Sequence, residues 1–120
     1  MARHPGLLLI LLAAVAAVAT TSRAQWLGGW NVIEDVAGNN QIQRVGAWAV
    51  GKHNQLGTND RLQFVRVVAA EEQVVQGSNY LVVIDAASSR KKTRELYVAV
   101  VADLVGATTY QLSSFKPATK

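Results

Sequence analysis

Few residues in this 120-residue chain combine the type and the spacing that chemistry requires. There is no cysteine, and of two histidines His4 falls in an N-terminal stretch set aside below, which leaves His53. One imidazole without a serine or aspartate at triad-like spacing does not support nucleophilic catalysis, and the three or four clustered ligands that zinc demands are missing. The expectation is no catalytic residue, no metal and no cofactor, with His53 packed at a core edge or against the last carbonyls of a helix. Glu34-Asp35 and Glu71-Glu72 are neighbouring carboxylates, but neighbours on a strand point to opposite faces, so they read as solvated surface and not as an acid/base pair. Arg90-Lys91-Lys92-Thr93-Arg94 places four cations in five residues. Such a run can attract an anionic surface or an acidic partner, yet a cationic hairpin turn ordinarily keeps strand edges from pairing with other chains, and that reading is preferred.

One segment stands apart. Gln73-Val74-Val75-Gln76-Gly77 sets two adjacent valines, with no charge, where a hairpin should bend. Bends usually carry polar residues. An apolar tip with Gly77 free to take positive φ suits a loop that presses into a groove, and equally suits a strand that ends late with the valines in the core.

The elements that position this segment follow from periodicity. Ile42, Val45, Ala49, Val50, His53 and Leu56 form an apolar stripe at helical spacing, which predicts a helix over 40–55 with Asn39 or Asn40 as N-cap and Gly57 at its close. Gly46 on that stripe predicts close approach of a sheet to the helix backbone; Gly46 and Gly51 each cost about 1 kcal/mol of helix propensity relative to Ala. Segments 62–75, 79–86, 95–104 and 110–115 are rich in Val, Ile, Phe and Tyr and read as strands, with 30–33 as a short one before the helix. The links Gln76-Gly77-Ser78, Ser88 to Lys92 and Val105-Gly106-Ala107 suit antiparallel hairpins. One helix followed by hairpin-linked strands is an α+β arrangement in which one sheet face covers the helix.

Length allows a single domain, and the N-terminus is read as a leader. Arg3 and His4 precede an unbroken apolar run over 7–19, and Ser22-Arg23-Ala24 supplies small-x-small, so 1–24 reads as a secretory signal peptide and 25–120 as the domain. The run is shorter than the roughly 20 residues a membrane span needs, so no membrane contact of the mature form is expected. Taking away 1–24 removes Arg3 and Arg23 and no acid, which turns 12 bases against 8 acids into 10 against 8. That balance gives no argument for nucleic-acid binding. Gln25 to Gly29 reads as an N-terminal tail whose Trp26 and Leu27 ask for a partner.

These pieces resemble the cystatins, inhibitors of papain-like cysteine proteases. Gln73-Val74-Val75-Gln76-Gly77 fits their Gln-x-Val-x-Gly signature, and Leu27-Gly28-Gly29 lies at the N-terminus as in that family. Val45 to Asn54 resembles the helix signature of plant cystatins, with Trp48 where Phe or Tyr is usual and Ala47 where a basic residue is usual. Glu95-Leu96-Tyr97 and Phe115-Lys116-Pro117 look like the last two strands of plant members, so the likeness covers 27–117. It implies a four- to five-stranded antiparallel sheet wrapped around one long helix. It also implies a secreted monomer, extracellular or vacuolar, that inhibits papain-like enzymes reversibly and noncovalently.

The implied device is a wedge of Leu27, Gly28 and Gly29, the Gln73–Gly77 loop and a second hairpin loop that enters the protease cleft without offering a cleavable bond. Here Val105-Gly106 stands where the family has Pro-Trp, which removes an aromatic anchor of the kind that commonly dominates interface energy. The alternative is a secreted module of the same fold with weakened or lost inhibition. An endogenous target and one from a herbivore or pathogen both remain open.

Overall fold

The structure is a computed structural model that describes residues 29–57 and 59–118. In chain order come β1 (Trp30–Val32), a 3-10 turn (Val36–Gly38), helix α1 (Asn40–Gln55), β2 (Leu62–Val74), β3 (Gly77–Ser88), β4 (Thr93–Leu104) and β5 (Gln111–Pro117). The five strands form one antiparallel sheet in the order β1-β2-β3-β4-β5, so chain order and sheet order coincide. Helix boundaries match the periodicity. β3 and β4 reach two residues further than composition suggests and β5 ends two later, because pairing continues to Ser88 opposite Thr93 and to Pro117 opposite Tyr97, while β1 and β2 each stop one residue short of the expected 30–33 and 62–75.

The apolar stripe of α1 lies across the sheet. Ile42, Val45, Ala49 and Val50 share one core with Val67 and Ala70 of β2, Tyr80, Val82, Ile84 and Ala86 of β3, and Tyr97, Ala99 and Val101 of β4. A Cβ added to Gly46 would stand 2.3 Å from Val67 Cγ2 and 3.0 Å from Phe64, which is the close approach its place on the stripe predicts. Gly51 meets nothing within 4 Å, so packing does not require it. Asn39 is the cap: its side-chain oxygen accepts from the Ile42 N–H at 3.0 Å.

Two amide side chains fasten the helix to β2, one where that strand is irregular and one at its start. Pairing of β2 with β3 shifts between Phe64 and Arg66 and again between Val67 and Ala69, and a bulge leaves backbone groups without ladder partners. Gln43 fills both roles at Val67, accepting its N–H at 2.9 Å and donating to its C=O at 3.1 Å. Asn54 does the same for Leu62 at the start of the strand, with both bonds at 2.9 Å.

Glu71 departs from the expectation of a solvated carboxylate pair. It is 1% exposed in the last third of β2, opposite Val32 on one side and Leu81 on the other, and neither carboxylate oxygen has a hydrogen-bond partner. Burial pushes its carboxyl pKa up. Glu34 and Asp35 are exposed as expected.

Candidate functional site

The β2–β3 hairpin turns at Val75 and Gln76, one residue earlier than the composition suggests, so that Gly77 opens β3. Gln76 and Gly77 both take positive φ, at 51° and 119°, and the Val75 N–H donates to the Gly77 C=O at 3.1 Å. A side chain at Gly77 is excluded twice over, by its φ and because a Cβ would lie 2.4 Å from the Asp103 carbonyl oxygen. Of the two readings left open for the valine pair, the structure selects the exposed tip: Val74 is 63% and Val75 44% exposed.

The stem beneath the tip is braced on both faces. Ser78 donates to Glu72 at 2.7 Å, and the Asn79 amide donates to Gln73 at 3.1 Å. Tyr80, buried one step lower, accepts from Gln41 of α1 at 3.2 Å, and desolvation pushes its phenol pKa up.

A second loop, between β4 and β5, runs over 105–110, longer than the three-residue link expected, because β5 begins only at Gln111. The Val105 N–H donates to the Gln76 carbonyl at 3.0 Å, which joins the two loop tips directly. That bond has no signal in the sequence, since it unites residues far apart in the chain through backbone atoms alone. Val105 is 80% exposed, Leu104 lies beside it, and Gly106 takes φ 86°. The far side of this loop is held by Tyr110, whose ring meets Trp48 of α1 edge-on at 5.4 Å.

The N-terminal segment arrives at the same edge. Trp30 pairs with Gln73, so Gly29 is carried to the base of the first loop, while Leu27 and Gly28 lie outside the described residues. Of the expected site residues, Gly29, Gln73 to Gly77, Val105 and Gly106 therefore fall along one edge of the sheet, at the ends of β1, β2, β3 and β4. They carry no charge, and Val74, Val75 and Val105 are exposed among them beside the exposed Gln76, an arrangement suited to filling a slot by shape and unsuited to acid/base or nucleophilic work. Among the described residues there is no group of three or more His, Asp and Glu side chains able to hold a metal. His53 sits elsewhere, stacked on Phe115 at 4.3 Å, in agreement with a packing role.

Comparison with known proteins adds three kinds of finding. A family model described as an aspartic acid proteinase inhibitor (SQAPI) matches residues 33–118. Over 120 residues, all of both chains, the sequence is 98% identical to a rice protein (Oryza sativa subsp. japonica) named "Putative cysteine proteinase inhibitor 11". It is 45% identical, over 98% of each chain, to cysteine proteinase inhibitor 8 of the same species. Among solved structures, a salivary cystatin of the soft tick Ornithodoros moubata superposes with a TM-score of 0.61 at 19% identity, covering 75% of this chain and 96% of that one. At that identity the likeness speaks for the fold alone: one helix packed on a five-stranded antiparallel sheet, α+β and cystatin-like.

Proposed function

The chain belongs to the plant cystatins, and on that premise we propose that it is a reversible, noncovalent inhibitor of papain-like cysteine proteases, not an enzyme. The observation that carries the reading is the edge itself. Two loop tips tied by the Val105 N–H to the Gln76 carbonyl leave Val74, Val75 and Val105 exposed, with the N-terminal segment joining the first loop through Trp30 and Gln73.

The mechanism is occlusion. Leu27 is the apolar side chain proposed for the S2 pocket, and Gly28-Gly29 let the chain turn away before a carbonyl reaches the catalytic thiol. Exposed valine contributes on the order of 25 cal/mol per Å² of apolar surface buried, and a tip without charge leaves no unpaired ion to desolvate. Protease–inhibitor interfaces bury about 1,600 Å² in total, a size that three short segments are able to supply together. The leader over 1–24 is proposed to direct secretion, extracellular or vacuolar, and the mature domain to act as a monomer.

Titration of papain tests the reading, with loss of activity expected well below about micromolar inhibitor. Replacing Val74 and Val75 by Asp should abolish inhibition while the thermal transition stays in place; an unchanged inhibition constant would overturn the wedge. A second reading has its own support in the description of the matched family model and in Val105-Gly106, which supplies no aromatic anchor: inhibition of an aspartic acid proteinase. Titrating pepsin in parallel separates the two. If neither enzyme is inhibited, the module with lost inhibition is the one left standing.

A further inference from the structure

The sheet has two faces, and α1 accounts for one of them. The helix, Val36 of the 3-10 turn and Tyr110 of the second loop all pack on the face that carries Tyr80, Val82, Ile84 and Ala99. Strand alternation and pairing send Ala69 and Glu71 of β2, Leu81 and Val83 of β3 and Val98 and Ala102 of β4 to the outer face. An antiparallel sheet with one face in water usually carries polar residues there, and this one does not. No described element crosses that face, yet Val83 is 0%, Glu71 1% and Ala69 6% exposed. A glutamate on an open sheet keeps its carboxylate in water, so these residues must be covered.

The character of the cover can be read from Glu71. Both of its oxygens are buried without a hydrogen-bond partner, and desolvation is what raises its pKa, as expected beneath groups that have nothing to donate. β1 does not supply the cover, because Val32, which pairs with Glu71, is itself 59% exposed. The chain contains a segment of the required kind. Residues 1–28 precede the described ones and join them at Gly29, beside β1 and one strand away from Glu71. Within them the run over 7–19 consists of Leu, Ile, Val and Ala alone, with no side chain able to donate or accept a hydrogen bond. The nine residues 20–28 between that run and Gly29 reach up to about 30 Å when extended, whereas β2 to β4 measures only about 10 Å.

We propose that, in a chain that keeps residues 1–24, the apolar run over 7–19 docks on the outer face of β2, β3 and β4, over Ala69, Glu71 and Val83. The inference goes beyond the inhibitor reading and does not depend on it, since it concerns the face away from the helix and not the loop edge. A chain that folds before export then hides the very run that export would read, and cutting after Ala24 uncovers an apolar face.

The natural sequence has no cysteine, so a single introduced thiol reports on the face. In the full 120-residue chain, Ala69→Cys is expected to react with a maleimide at least about tenfold more slowly than Ser113→Cys, which is exposed. Adding Leu11→Asp with Leu12→Asp, which makes docking of the run costly, should bring the two rates within about twofold. Val83→Cys repeats the measurement where Ala69→Cys disturbs the far-ultraviolet dichroism. Equal rates for the two thiols with Leu11 and Leu12 in place overturn the proposal, and so does protection that survives both aspartates. Protection that fades on dilution, with a dimer mass in light scattering, assigns the face to a second copy of the chain and overturns it as well.

Discussion

Gly77 shows how much one residue decides at the edge proposed to inhibit. It must hold φ 119° and leave room for the Asp103 carbonyl, and both demands are met by having no side chain. Gly77→Ala is expected to cost about 1–3 kcal/mol in urea denaturation and to raise the inhibition constant, because the tip is displaced from the second loop. Two carboxylates give opposite pH signatures. Asp60 has its pKa lowered, chiefly by the Ser88 hydroxyl, so the stability it contributes is present above its ordinary 3.8 and fades as pH falls through its lower folded value. Glu71 has its pKa raised by desolvation, so its contribution is full below its ordinary 4.5 and is lost as pH rises through the higher folded value. Glu71→Gln should flatten that high-pH decline in melting temperature and Asp60→Asn the acid-side one; unchanged profiles would count against both assignments.

At the scale of elements, the contrast between two helix glycines is the sharpest expectation. Gly46→Ala must push Val67 and Phe64 away and should cost about 1–3 kcal/mol, whereas Gly51→Ala enters open space and should gain about 0.5–1 kcal/mol from helix propensity. Asn54→Ala strands the N–H and C=O of Leu62 and should cost about 1–3 kcal/mol in the same measurement. The helix was readable because its stripe keeps one period over 16 residues, and the strands because their β-branched runs are cut by polar turns. Gly46 was readable too, being a gap on a buried stripe. The clamps of Gln43 and Asn54 were not, since one answers an irregularity in β2 and the other its first residue, and no local pattern announces either. Glu71 was misjudged for a related reason: alternation tells which neighbours share a face but not how deeply a central strand is covered. At the candidate site, residue types and spacing pointed to the first loop, while its bond to the second depended on tertiary placement.

Over the whole molecule, the strict strand order sets how the structure can be assembled. Three of the four pairings close over hairpins, but β1 meets β2 only after the helix has been made, with Trp30 opposite Gln73. Pairings that span more chain pay more loop entropy before they are rewarded, so β1 is expected to dock last. In a variant whose only tryptophan is Trp30, its fluorescence during stopped-flow refolding should lag the far-ultraviolet dichroism of the meander; coincident traces would contradict that order. The kinetic corollary concerns timing: the last event to finish is the one that delivers Gly29 to its place, so a newly made chain passes through a stage in which the four-stranded meander is complete and the edge beside Gln73 is still bare.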